Sequence, residues 1–157
     1  MTNTTENPIS DVLETSTEVD APPERVWEIV SDLKRMGEWS PQCRRMVVFG
    51  EVRPGARTLN LNRKGVLMWP TSAKVVALAP EERIAFRITE NKTLWSYTLE
   101  ATENGTKVTE RREVPNGTTG LSQFFIRRFL GGNAGLERDL LDGMEATLAR
   151  IKTEAER

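Results

Sequence analysis

Glu110, Arg112 and Tyr97 are the residues of this 157-residue chain whose types and spacing could do chemistry. Glu110 and Arg112 stand two apart in the alternating run Thr106–Val114, so on a strand both side chains leave the same face. A carboxyl group there can act as general acid or base, and a guanidinium or phenol beside it can stabilise an enolate or oxyanion. The chain has no histidine, which removes histidine triads, histidine bases and histidine metal ligands. The single cysteine, Cys43, can neither close an intrachain disulfide nor join a zinc cluster. It is expected as a small buried hydrophobe. No metal and no cofactor is expected.

The elements that must position these residues follow from periodicity. Val12–Val19 carries β-branched residues and reads as a first strand. Ala21-Pro22-Pro23 starts a helix with proline in its first turn, and Val26, Trp27, Ile29 and Val30 fall at helical spacing. Asp32 can cap a second short helix ending at Gly37. Strands are then expected over 43–49, 58–63, 69–79, 83–89, 93–101 and 106–114. In the second of these Leu59 and Leu61 share one face. Leu136, Leu140, Leu141, Met144, Leu148 and Ile151 stripe a final helix, which Asn133 can cap. A sheet followed by such a helix tends to enclose an apolar cavity.

Turn chemistry sets the expected register. Asn104-Gly105 reads as a two-residue type I′ loop, since both positions then need positive φ. That pairs Leu99 with Glu110, Tyr97 with Arg112 and Trp95 with Val114. An Asn91-Lys92 loop pairs Ile84 with Leu99, Phe86 with Tyr97 and Ile88 with Trp95. A loop at Pro80-Glu81 pairs Val75 with Phe86 and Ala77 with Ile84. The face so formed is apolar except for Glu110 and Arg112. Burying unpaired charge is costly, so the two are expected either to pair with one another or, through a bulge or slip, to reach solvent. If buried, they are a few convergent polar groups in an apolar cavity, which is what orients a ligand. The expected lining is Trp39, Trp69, Phe86, Trp95, Tyr97, Glu110, Arg112, Phe124, Leu140 and Met144. Aromatics in such positions are otherwise core.

A net charge of -1 gives no bulk attraction to nucleic acid or anionic lipid. No apolar run reaches the ~20 residues that span a bilayer, so no integral membrane segment is expected. Residues 1–10 are polar, lack a signal-peptide pattern and are expected as a flexible tail. A single domain over 11–153 and a cytoplasmic location are expected.

Ala21-Pro22-Pro23-Glu24-Arg25-Val26-Trp27, Asp32, Trp39-Ser40-Pro41, the Asn104–Thr109 run and the Leu136–Ile151 stripe resemble the START-like, or SRPBCC, superfamily. Within it the chain is similar to the polyketide cyclase/dehydrase and lipid-transport family, over about 12–152. The resemblance implies an α+β helix-grip fold: a seven-stranded antiparallel sheet curved around a long C-terminal helix, with two short helices after the first strand. It implies a cavity for a small hydrophobic ligand, lipid- or polyketide-like, bound or transported.

Two alternatives stand beside binding. One is a cofactor-independent cyclase/dehydratase with Glu110 as acid or base and Arg112 and Tyr97 stabilising an enolate. The other is an interaction or regulatory role for residues 121–130. That segment spaces Leu121, Phe124, Phe125 and Phe129 as an amphipathic helix between glycines. It is open between a lid, a homodimer contact and static core.

Overall fold

The computed structural model describes residues 11–114 and 132–157. Strand β1 (Val12–Val19) is followed by helix α1 (Pro23–Val30), a 3-10 turn (Leu33–Arg35) and the short helix α2 (Met36–Trp39). Then come β2 (Cys43–Phe49), β3 (Arg57–Lys64), β4 (Leu67–Ala79), β5 (Arg83–Ile88), β6 (Leu94–Ala101) and β7 (Thr106–Glu113), and last helix α3 (Gly132–Ala155). The seven strands form one antiparallel sheet in the order β1-β7-β6-β5-β4-β3-β2. This is the α+β helix-grip architecture, with β1 carried across to pair with the last strand.

The second helical piece departs from expectation. Asp32 precedes only the 3-10 turn and makes no side-chain cap there. Gly37 does not end the helix but lies inside α2, where a Cβ would overlap the carbonyl oxygen of Arg44. Its role is to let α2 lie against β2. Helix α3 begins at Gly132, so Asn133 lies within it rather than capping it.

Helix α3 is about 36 Å long at 1.5 Å per residue. Its buried stripe divides between two cores. Leu148, Ile151 and Ala155 join the main core of α1, α2 and the sheet. Leu136, Leu140 and Met144 form a smaller cluster with Leu13, against which Trp69 and Trp95 pack.

Two hairpins sit two residues away from the expected register. Ala101 pairs with Thr106, and the Thr102 N–H donates to the Gly105 carbonyl at 2.8 Å, so Glu103-Asn104 form the tip. Neither Asn104 nor Gly105 has positive φ. Gly105 is required for another reason: a Cβ there would overlap the Val19 carbonyl oxygen of β1. Before it, the Ile88 N–H donates to the Thr93 carbonyl at 2.8 Å, which makes a four-residue loop closed by Lys92 at φ 62°. The β4–β5 pairing agrees at Val75–Phe86, then a bulge shifts it so that Leu78, not Ala77, faces Ile84.

A slide of two residues keeps every side chain on its face but changes its neighbours. Tyr97 now stands opposite Glu110, and Trp95 opposite Arg112. Leu59 and Leu61 share a face as expected. That face is the outer, exposed one, while Thr58, Asn60 and Asn62 point inward.

Candidate functional site

Between the sheet and the N-terminal half of α3 lies a cavity of about 400 Å³. A second of about 450 Å³ adjoins it toward Gly143 and Thr147, and the two share Ser40, Gln42, Trp95, Glu110, Leu136 and Leu140. Of the residues expected from sequence, Trp69, Phe86, Trp95, Tyr97, Glu110, Arg112 and Leu140 line the first cavity. Met144 lines the second. Trp39 lines neither: α2 turns it into the main core, with the Arg35 guanidinium 4.7 Å from its ring centroid. Phe124 and the rest of 121–130 lie outside the described residues. Cys43 is half-buried on the cavity wall, where burial raises its thiol to about 11.

Glu110 and Arg112 both face inward from β7 and are buried, at 3% and 5% exposure. They do not form the expected ion pair. Instead the Tyr97 hydroxyl donates to Glu110 Oε1 at 3.0 Å, a contact created by the register that sets these residues opposite one another. Glu110 Oε2 is buried with no hydrogen-bond partner among the described residues. Burial raises the Glu110 carboxyl to about 8, and the Tyr97 hydrogen bond offsets only part of this. At neutral pH Glu110 is therefore mostly the neutral acid, with a proton to give. Burial, followed by the negative charge of Glu110, pushes the Tyr97 phenol well above its ordinary range, so it stays protonated.

Arg112 stands two residues from Glu110, about 7 Å along the strand. Its Nη1 is buried without a hydrogen-bond partner among the described residues. Burial lowers the guanidinium to about 10, partly offset by the charge of Glu137 on α3. It remains a cation at neutral pH, held where water cannot solvate it fully.

Other polar wall residues were not singled out by sequence. Thr93 is buried and its hydroxyl has no hydrogen-bond partner among the described residues. Asn60 and Asn62 both donate to Thr71 Oγ1, at 3.2 and 3.0 Å, while Thr58 donates to Asn60 Oδ1 at 2.8 Å. A hydroxyl oxygen accepts two bonds, so Thr71 is left as a donor. Thr71, Asn60 and Asn62 all line the first cavity. For Asn60 and Asn62 the signal was their alternation with Leu59 and Leu61 on β3, which does not say which set turns inward; Thr71 lies on β4. The cavity thus has apolar walls from Trp69, Phe86, Trp95 and Leu140, with donors converging from several strands. Among the described residues no group of His, Cys, Asp or Glu could hold a metal ion.

No curated protein matches the chain. Among solved structures, a polyketide-cyclase-like protein from Corynebacterium glutamicum is 27% identical, covering 93% of this chain and 91% of its own, with a TM-score of 0.64. The aromatase/cyclase Zhui from Streptomyces sp. R1128 is 16% identical, covers 93% of each chain and has a TM-score of 0.72. The di-domain ARO/CYC StfQ of the steffimycin biosynthetic pathway has a TM-score of 0.74 at 17% identity; the match covers 93% of this chain but only 50% of StfQ. At such identities these last two show likeness of fold. The family model described as polyketide cyclase / dehydrase and lipid transport matches residues 11–156, so the chain belongs to that family.

Proposed function

We propose that the cavity binds a small, mostly apolar molecule, lipid- or polyketide-like, through an oxygen acceptor turned toward Glu110, Arg112 and Thr93. One observation carries this reading. Three buried polar atoms with no hydrogen-bond partner among the described residues, Glu110 Oε2, Arg112 Nη1 and Thr93 Oγ1, belong to residues lining the same apolar cavity. Buried polar groups are nearly always satisfied, and an orphaned set in one cavity is answered by a bound molecule. The neutral acid, the guanidinium and Thr71 are donors, which suits carbonyl, enol or phenol oxygens on the ligand.

The probe is 2-naphthol, a planar apolar molecule with one hydroxyl, titrated by calorimetry. A hydrogen bond to a charged group contributes about 1.5–3 kcal/mol, so Arg112→Met should weaken binding about tenfold or more. Equal affinity in the two proteins would overturn the assignment.

A second reading is favoured by the raised Glu110 carboxyl. As general acid it could protonate a substrate carbonyl or a departing hydroxyl while Arg112 stabilises the enolate, as a cofactor-independent cyclase/dehydratase would require. Under this reading Glu110→Gln abolishes turnover of a poly-β-ketone substrate yet leaves its affinity within a few-fold.

A further inference from the structure

The outer face of the sheet at β2–β4 concentrates charge in a way the net charge of -1 conceals. Cross-strand pairing sets Val47 beside Leu59, Arg45 beside Leu61, and Phe49 beside Arg57. It also sets Arg63 beside Met68 and Arg57 beside Lys74. The result is an apolar patch flanked by four cations, all of them exposed. The outward positions of these three strands hold no carboxylate; Glu90, beyond β5, accepts from the Ser72 N–H and hydroxyl, and Glu51 lies just past the end of β2. Apolar exposure here is high: Phe49 is 61% exposed, and Val66, at the tip of the β3–β4 hairpin, is 99% exposed.

We infer that this face docks on an anionic lipid surface. Projecting apolar side chains insert at the headgroup boundary, and cations around them meet lipid phosphates and carboxylates. A second copy of the chain is disfavoured, because stacking this face on itself sets four cations against four. An acidic protein partner fits less well. The patch holds no tryptophan or tyrosine anchor, and its most exposed residue projects from a hairpin tip rather than lining a recess. The same hairpin supplies Arg63, Lys64 and Gly65 to the wall of the second cavity. Docking here therefore brings a cavity wall to the bilayer.

The test is sedimentation with phosphatidylcholine vesicles, with and without phosphatidylserine, using the full chain and no added ligand. The protein should pellet with the phosphatidylserine vesicles alone and be released by high salt. A cation near such a surface contributes about fivefold to partitioning, so the charge reversal Arg57→Glu should lower it about 25-fold. Val66→Ser should lower it with no change in thermal stability, which separates docking from folding. Failure to pellet, or equal pelleting of wild type and Arg57→Glu, would overturn the proposal. Binding to soluble poly-glutamate without binding to vesicles would also overturn it and assign the face to an acidic protein. No outcome depends on what the cavity holds.

Discussion

Thermal stability should fall as pH rises from about 5 to about 8, and Glu110→Gln should remove most of that fall. The Glu110 carboxyl titrates near 4.5 in the unfolded chain and at about 8 in the fold. Between those values the folded protein holds a proton that the unfolded chain has lost, so raising the pH favours unfolding. The favourable contribution is complete below about 4.5 and is lost as pH passes 8. At about 1.4 kcal/mol per tenfold, the ionised form costs the fold about 4–5 kcal/mol. In a domain of this size that is about 10 °C in melting temperature. Glutamine keeps an oxygen for the Tyr97 hydroxyl and has no proton to lose. Parallel profiles for the two proteins would mean that Glu110 is solvated or paired.

Arg112→Met should make the protein more stable while costing it ligand affinity. The guanidinium is buried, has no ion pair among the described residues, and is lowered to about 10 by burial. A lowered base means the fold disfavours the cation. That cost is present in full below about pH 10 and disappears only as pH rises past the ordinary arginine value. At pH 7 the fold therefore carries about 3 kcal/mol for holding this charge. Methionine is unbranched, fills a similar space and needs no partner. A gain of about 2–3 kcal/mol is expected in denaturant melts at pH 7. The pairing of Glu110 with Arg112 expected from sequence implies the opposite, a loss of about 3–5 kcal/mol. The sign of the change thus decides between Tyr97 and Arg112 as the partner of Glu110.

Much of the fold was legible because strands and helices announce themselves by period. The runs around Val12, Cys43 and Thr106 and the Leu136–Ile151 stripe each became the element their alternation indicated. Register was less legible. Asn104-Gly105 has the composition of a type I′ turn, yet its glycine serves the close approach of β1, a contact 86 residues away that no local pattern reveals. The slide of two residues preserved which side chains face inward, so most of the cavity wall survived. It changed who meets whom, and with it the chemistry of Glu110. On β3 alternation separated leucines from polar residues without saying which set turns inward. The polar wall of Asn60, Asn62 and Thr71 therefore went unseen, as did the exposed leucines opposite.

The most direct test of the cavity assignment is an amide NMR titration of the full chain with 2-naphthol. Binding in the cavity predicts saturable shifts at Thr71, Thr93, Trp95, Tyr97, Arg112 and Leu140, residues of β4, β6, β7, α3 and the β5–β6 loop that all line the cavity. It also predicts that in Arg112→Met the same shifts need about tenfold more probe, or more, to saturate. Shifts confined to the outer positions of β2–β4, or none at saturating probe, would contradict it.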